Sequence, residues 1–155
     1  QERGHTLEDN NLEIGLVSSI DASLVGMSAY LAADSLGIKG VMIGAVRNDA
    51  VEIAEILELP KFVYCVFGMC LGYPAEIPQQ KPRMDQNFTV HREKFQPEKI
   101  APSVEAYDPA LRSHYESIGK ATTPDSWSHD MDKKFHPQLR DGLREQLKKQ
   151  GFDFR

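Results

Sequence analysis

GVMIGAVRNDAVEIAEILELPKFVYCVFGMCLGYP, residues 40–74, reads as strand, helix and strand in close succession. GVMIGAV (40–46) is short, apolar and rich enough in β-branched residues to form a buried strand, with Gly40 and Gly44 punctuating it. NDAVEIAEILELP then opens on Asn48 or Asp49 as N-cap, and Asp49 with Glu52 makes a capping-box pattern. Val51, Ile53, Ala54, Ile56 and Leu57 form its apolar side, and Pro60 ends it. KFVYCVFGMCLGYP supplies a second buried strand, followed by a turn at Gly72. This order points to an α/β or α+β core with a crossover helix.

Upstream, Asp21 begins a helix, DASLVGMSAYLAADSLG, with Gly37 as its C-cap. Small residues (Ala22, Gly26, Ser28, Ala29, Ala32, Ala33) and large ones (Leu24, Val25, Met27, Tyr30, Leu31, Leu36) are spread around its axis. Such a helix suits burial on more than one side. Two readings fit: plain packing inside its own domain, or one side there and the other against a second subunit. Residues 1–12 are polar and are expected to be poorly ordered on their own. Downstream of Tyr73 the chain turns proline-rich and polar as far as residue 109, a long arm or excursion. Two further helices are expected at 104–118 and 137–150. In the latter, Pro137 suits the first turn, Leu139, Leu143 and Leu147 recur four apart, and Gly151 caps the end.

The bulk properties are those of one ordinary domain. The chain has 155 residues, 41% of them hydrophobic and 26% charged, with a formal net charge of -5. That balance argues against a general nucleic-acid surface, which needs a basic field facing phosphates. No signal peptide and no apolar run long enough to cross a bilayer stand out. Cys65 and Cys70 match no common metal spacing, and a reduced, cytoplasmic setting is the simpler reading. The histidines lack zincin or finger spacing, and no triad or carboxylate pair is recognisable in order.

Two local features carry chemistry. In IGAVRN (43–48) a strand ends at Gly44-Ala45, and small residues at a strand end let a flat ring lie against backbone N–H and C=O groups. A tight strand-to-helix turn would need Gly44 equally. In PQQKPRMD (78–85), Pro82 disfavours the α region at Lys81, so the segment is expected to be extended. Residues two apart then point to one side, bringing Lys81 and Arg83 toward one anion, and an ammonium beside a guanidinium fork suits phosphate. A solvated basic elbow fits the same residues.

Taken together, the run from Asp21 to Asp85, with HREKFQP, Tyr107, DSWS (125–128) and the final QGFDFR, resembles the C-terminal half of the bacterial oxygen-insensitive NAD(P)H nitroreductases and NAD(P)H-flavin oxidoreductases. The resemblance covers nearly everything from about residue 13. It implies an α+β fold, a mostly antiparallel sheet surrounded by helices, built as an interlocked homodimer with FMN at the subunit interface. It gives Met42, Ile43, Gly44 and Ala45 the role of lining the flavin ring, with Ala45 standing where the family often has a second glycine. Lys81 and Arg83 match the pair that reaches the ribityl chain and phosphate of FMN, and the helix at 21–36 matches one of the dimer core.

The implied activity is electron transfer from NAD(P)H through FMN to a nitroaromatic, a quinone or free flavin, in a ping-pong sequence. The cofactor carries that chemistry, so no catalytic side chain is required in this chain and none is assigned. A flavin-binding module without turnover and an incomplete, non-binding fragment are the competing readings. Residues 1–155 are expected to be the C-terminal portion of a single domain. The family's N-terminal segment, which holds much of the FMN phosphate, has no counterpart here, and a separately supplied segment is the implied partner. No nucleic acid or membrane partner is expected. Ile118 and Thr123 stand where NADPH-preferring members carry arginines, with Lys120 between them, which weakens any preference for NADPH.

Overall fold

The computed structural model describes residues 3–6 and 11–154. Among these residues the elements run α1 (Leu12–Ser35), β1 (Lys39–Ile43), α2 (Ala50–Ile56), β2 (Gly68–Gly72), α3 (Gln86–Thr89), α4 (Ile100–Ser117), α5 (Ser126–Phe135) and α6 (Leu143–Lys149). Short 3-10 turns occupy Gly44–Arg47 and Pro97–Lys99. The chain divides into two compact units, Gln1–Ala75 with Arg140–Arg155, and Glu76–Leu139. The expectation of disorder over residues 1–12 falls largely on residues 1–2 and 7–10, and the end of QGFDFR on residue 155, all outside the described residues.

Helix α1 starts at Leu12, well before the expected Asp21. Asn11 is its N-cap, its side-chain oxygen accepting from the Ile14 N–H at 2.9 Å. The serines between cap and Asp21 do not interrupt it, because Ser18, Ser19 and Ser23 donate to carbonyls four residues back. Such back-bonding satisfies the hydroxyls without breaking the backbone ladder. The C-terminus closes as expected. Gly37 takes a positive φ of 78°, and the N–H groups of Gly37 and Ile38 bond the Asp34 and Ala33 carbonyls. That is the double-bonded Schellman ending in which glycine escapes the Cβ penalty.

Beginning at Leu12 makes α1 24 residues long with mean hydropathy 1.4, long and apolar enough by length and composition to cross a membrane. The expectation that no run reaches that length is therefore corrected. Of the two readings of its burial, packing on several sides inside its own domain is not what the described residues give: only Gly15, Gly26 and Ala33 are buried, while Leu24 is 61% and Val25 71% exposed. What α1 does bury is close packing against rings of the same unit. A Cβ on Gly26 would run into the Phe67 ring, and one on Gly15 into the Phe154 ring. Ser19 also hydrogen-bonds the Tyr64 hydroxyl.

The strands pair antiparallel, Lys39 opposite Gly72 and Ile43 opposite Gly68, in a two-stranded sheet. Helix α2 thus joins antiparallel strands and is not the crossover of a parallel pair. Both strands are shorter than the sequence suggests. β1 stops at Ile43 because the backbone turns into the 3-10 turn at Gly44, and residues 61–67 carry no strand. Val41 (57% exposed) shows that β1 is not buried on both faces. The cap of α2 is the expected one: the Asp49 side chain accepts from the Glu52 N–H.

The core of the first unit is Ala50, Leu147 and Phe152, with Tyr64, Leu143 and Phe154 packed on it. Phe152 meets Tyr64 edge-on at 4.9 Å and stacks with Phe154 at 5.5 Å. Helix α6 is shorter than 137–150, since Pro137 and Leu139 lie in the turn before it. Gly151, with φ of 106°, terminates it as expected.

In the second unit α4 replaces the expected 104–118, starting at Ile100 and retaining Pro109 inside it. Tyr107, Leu111 and Tyr115 recur every four residues along one face and make the core with Met84 and Trp127. Helix α5 was not expected. Its start at Ser126 depends on a remote carboxylate: Asp108 of α4 accepts from the Trp127 N–H (2.7 Å), the Ser128 N–H (2.9 Å) and the Ser128 hydroxyl (2.6 Å). Asp130 and Asp132 lie within it.

Candidate functional site

In the first unit the expected ring-lining residues fall on the end of β1 and the turn after it. Met42 and Ala45 are exposed and Ile43 and Gly44 half-buried, so this stretch keeps an accessible surface. The structure adds two cations. A Cβ built on Gly44 would lie 3.2 Å from Arg47 Nη2 and 3.8 Å from Arg140 Nη2. Arg47 donates to the Val66 carbonyl, and Arg140 Nε donates to Asn48 Oδ1 at 2.8 Å. Both guanidinium groups are thereby held against a backbone position that has no side chain of its own. Arg140 lies 92 residues beyond Asn48, and no local pattern connects them.

In the second unit Lys81 and Arg83 lie on a strap that follows α4. Ser117 Oγ reaches Gln79 Oε1 (3.5 Å), Lys81 Nζ donates to the Tyr115 hydroxyl (3.0 Å), and the Tyr107 hydroxyl donates to the Pro82 carbonyl (2.9 Å). Exposure alternates along it, Lys81 and Arg83 out, Pro82 and Met84 half-buried. That alternation is what an extended segment gives. The two cationic heads are not left free. Lys81 is held by Tyr115, and Arg83 Nη1 folds back on the Lys81 and Pro82 carbonyls at 3.1 and 3.2 Å.

Beyond α4, Ile118 is exposed, while Lys120 Nζ sits 3.9 Å over the Tyr115 ring, close enough for a cation–π contact. The Lys81 hydrogen bond pulls the Tyr115 phenol's pKa down against the effect of burial, with Lys120 adding to the pull. A cavity of about 260 Å³ lies here, lined by Tyr115, Lys120, Thr123, Ser126, His129 and Lys133 among others. The Thr123 hydroxyl is buried there and has no hydrogen-bond partner among the described residues. Among the described residues no group of three or more His, Cys, Asp or Glu is placed to hold a metal ion.

A family model described as the nitroreductase family matches residues 4–73, and one described as the C-terminal domain of the nitroreductase family matches residues 81–155. The chain belongs to the nitroreductase superfamily. It is 38% identical over 139 residues to an oxygen-insensitive NADPH nitroreductase of Salmonella typhimurium, an alignment covering 88% of this chain and 57% of that protein. It is 34% identical over 144 residues to an NAD(P)H FMN reductase of Bacillus subtilis, covering 92% and 58% respectively. Among solved structures, a hypothetical oxidoreductase from Bacillus subtilis superposes with TM-score 0.86 at 34% identity, covering 95% of this chain and 60% of that one. A Vibrio harveyi NADPH:FMN oxidoreductase complexed with NAD+ gives 0.84 at 29%, covering 96% and 60%. The chain thus spans somewhat over half the length of the relatives it matches. Their α+β fold, helices flanking an antiparallel sheet, is the one described above.

Proposed function

We propose that this chain contributes to an FMN-dependent NAD(P)H oxidoreductase acting on nitroaromatics, quinones or free flavin. The observation that carries the reading is the strand end at Gly44, where bare backbone is flanked by two guanidinium groups. The donor set suits FMN. A flat ring needs a ledge without a side chain, and fixed cations favour the negative charge that a flavin acquires on reduction. In the first unit Met42, Ile43, Gly44 and Ala45 would meet a flavin ring; in the second, taken by itself, Lys81 and Arg83 would meet a phosphate. Bound there, FMN would supply two-electron chemistry, taking hydride from NAD(P)H and passing electrons to the acceptor in a second, separate half-reaction.

The chain's own residues position and polarise. Arg47 and Arg140 are anchored on Val66 and Asn48, so their charge needs little reorganisation during the reaction. Lys81 offers an ammonium already oriented by Tyr115. A homodimer built on α1 belongs to the same proposal, supported by the apolar residues that this helix leaves exposed.

The test is the visible absorbance of the full-length protein, followed anaerobically after NADH or NADPH is added. Flavin absorbance that bleaches with a nicotinamide and returns with an added quinone is the expected result. A colourless protein that takes up no FMN would refute the reading. Flavin that binds without bleaching would reduce it to a binding module.

A further inference from the structure

The strap geometry points to Tyr115 as a positioning residue for the phosphate grip, acting through Lys81, with Tyr107 fixing the backbone between the two cations. This rests on the FMN reading above. Lys81 is exposed, and a lysine free in solvent keeps side-chain rotamer entropy that an anion must remove on binding. Here the ammonium is already tied at 3.0 Å to a phenol whose ring is buried in the α4 core. The cost of ordering it is thereby met in the fold, which is how preorganisation improves affinity.

The geometry leaves Lys81 able to bind as well as be held. An ammonium carries three donors, and Tyr115 engages one of them. Tyr115 accepts that bond, so its own O–H proton stays available on the same side. Tyr107 sits two turns earlier on the same face and donates to the Pro82 carbonyl, so the backbone between Lys81 and Arg83 is pinned from α4 as well. Leu111, fully buried between the two tyrosines, keeps this face rigid. The core of the second unit and the orientation of its exposed cation are therefore one construction.

Tyr115→Phe keeps the ring and removes the hydroxyl. Dissociation constants for FMN and for riboflavin, which lacks the phosphate, are measured on the flavin-free full-length protein for wild type, Tyr115→Phe, Lys81→Ala and the double variant. The expected result is that Tyr115→Phe weakens FMN binding about five- to tenfold, the size of one ordinary net hydrogen bond, and changes riboflavin binding less than about twofold. In the Lys81→Ala background the same substitution is expected to add nothing, the signature of coupled residues. Equal weakening of FMN and riboflavin, or an undiminished effect in the Lys81→Ala background, would overturn the inference. A wild type that binds FMN no better than riboflavin would instead strike the phosphate reading itself, and the inference with it.

Discussion

Replacing Asp108 with alanine tests whether α5 is organised from α4. The carboxylate accepts two backbone N–H groups of the first turn of α5, at 2.7 and 2.9 Å, and a Ser128 hydroxyl at 2.6 Å. The adjacent residue Asp125, at the N-cap position, makes no side-chain cap bond, so nothing local substitutes for it. Loss of an N-cap costs about 0.5–2 kcal/mol, and the hydroxyl bond adds about 1. Asp108→Ala is expected to lower unfolding stability by about 1.5–3 kcal/mol, and Asp108→Asn, which keeps one acceptor oxygen, by about 1. Burial pushes the Asp108 pKa up, but the bonds from Ser128 and Trp127 outweigh it and hold the carboxyl below its usual range. Its folded value is therefore depressed relative to the unfolded one. The stabilisation is fully present above about pH 4, the unfolded carboxylate value, and is lost as pH falls through the folded value. Urea denaturation of wild type and both variants across neutral and acid pH reads this directly. A constant difference between wild type and Asp108→Asn down to the lowest pH at which the protein folds, or no loss in Asp108→Ala at neutral pH, would refute the reasoning.

Three other outcomes follow from the same contacts. Lys81→Ala with Arg83→Ala is expected to weaken FMN retention more than about tenfold while leaving far-UV circular dichroism unchanged, because both heads are exposed; equal retention would refute the phosphate assignment. Arg140→Met is expected to make the flavin midpoint potential more negative, on the order of 30 mV or about 1.4 kcal/mol for a two-electron couple, by removing a cation beside Gly44; potentiometric titration checks it. Gly26→Ala gains about 1 kcal/mol of helix propensity, yet the new methyl meets the Phe67 ring and overpacking costs about 1–3 kcal/mol, so a net loss is expected in thermal unfolding.

What the sequence makes legible is local. Asp49 caps α2, Gly37 and Gly151 end helices, and Gly44 turns the chain, because each of these roles is decided within a few residues. The misreadings share a different origin. Asp21 looked like a helix start because serines and an acid cluster there, but back-bonded hydroxyls removed their power to stop a helix. Helix α5 escaped notice because its capping carboxylate is contributed from the middle of another helix. Parallel or antiparallel pairing of β1 and β2 depends on how α2 and its flanking segments return the chain, which strand propensity does not encode.

The same distinction applies to each unit's candidate surface taken by itself. Lys81 and Arg83 were conspicuous as a pair, but a basic pair beside proline is equally a solvated elbow. What favours a grip is their support: Tyr107 and Tyr115, spaced to share one helix face, hold the strap from below while leaving the charges outside. At Gly44 the order is reversed. The glycine and Arg47 are legible within IGAVRN, but Arg140 is not, since it arrives from the start of the turn before α6. A glycine alone would mark only a turn. Two anchored guanidinium groups beside it make negative charge favourable at that point, and this gives the exposed strand end a chemical use beyond changing direction.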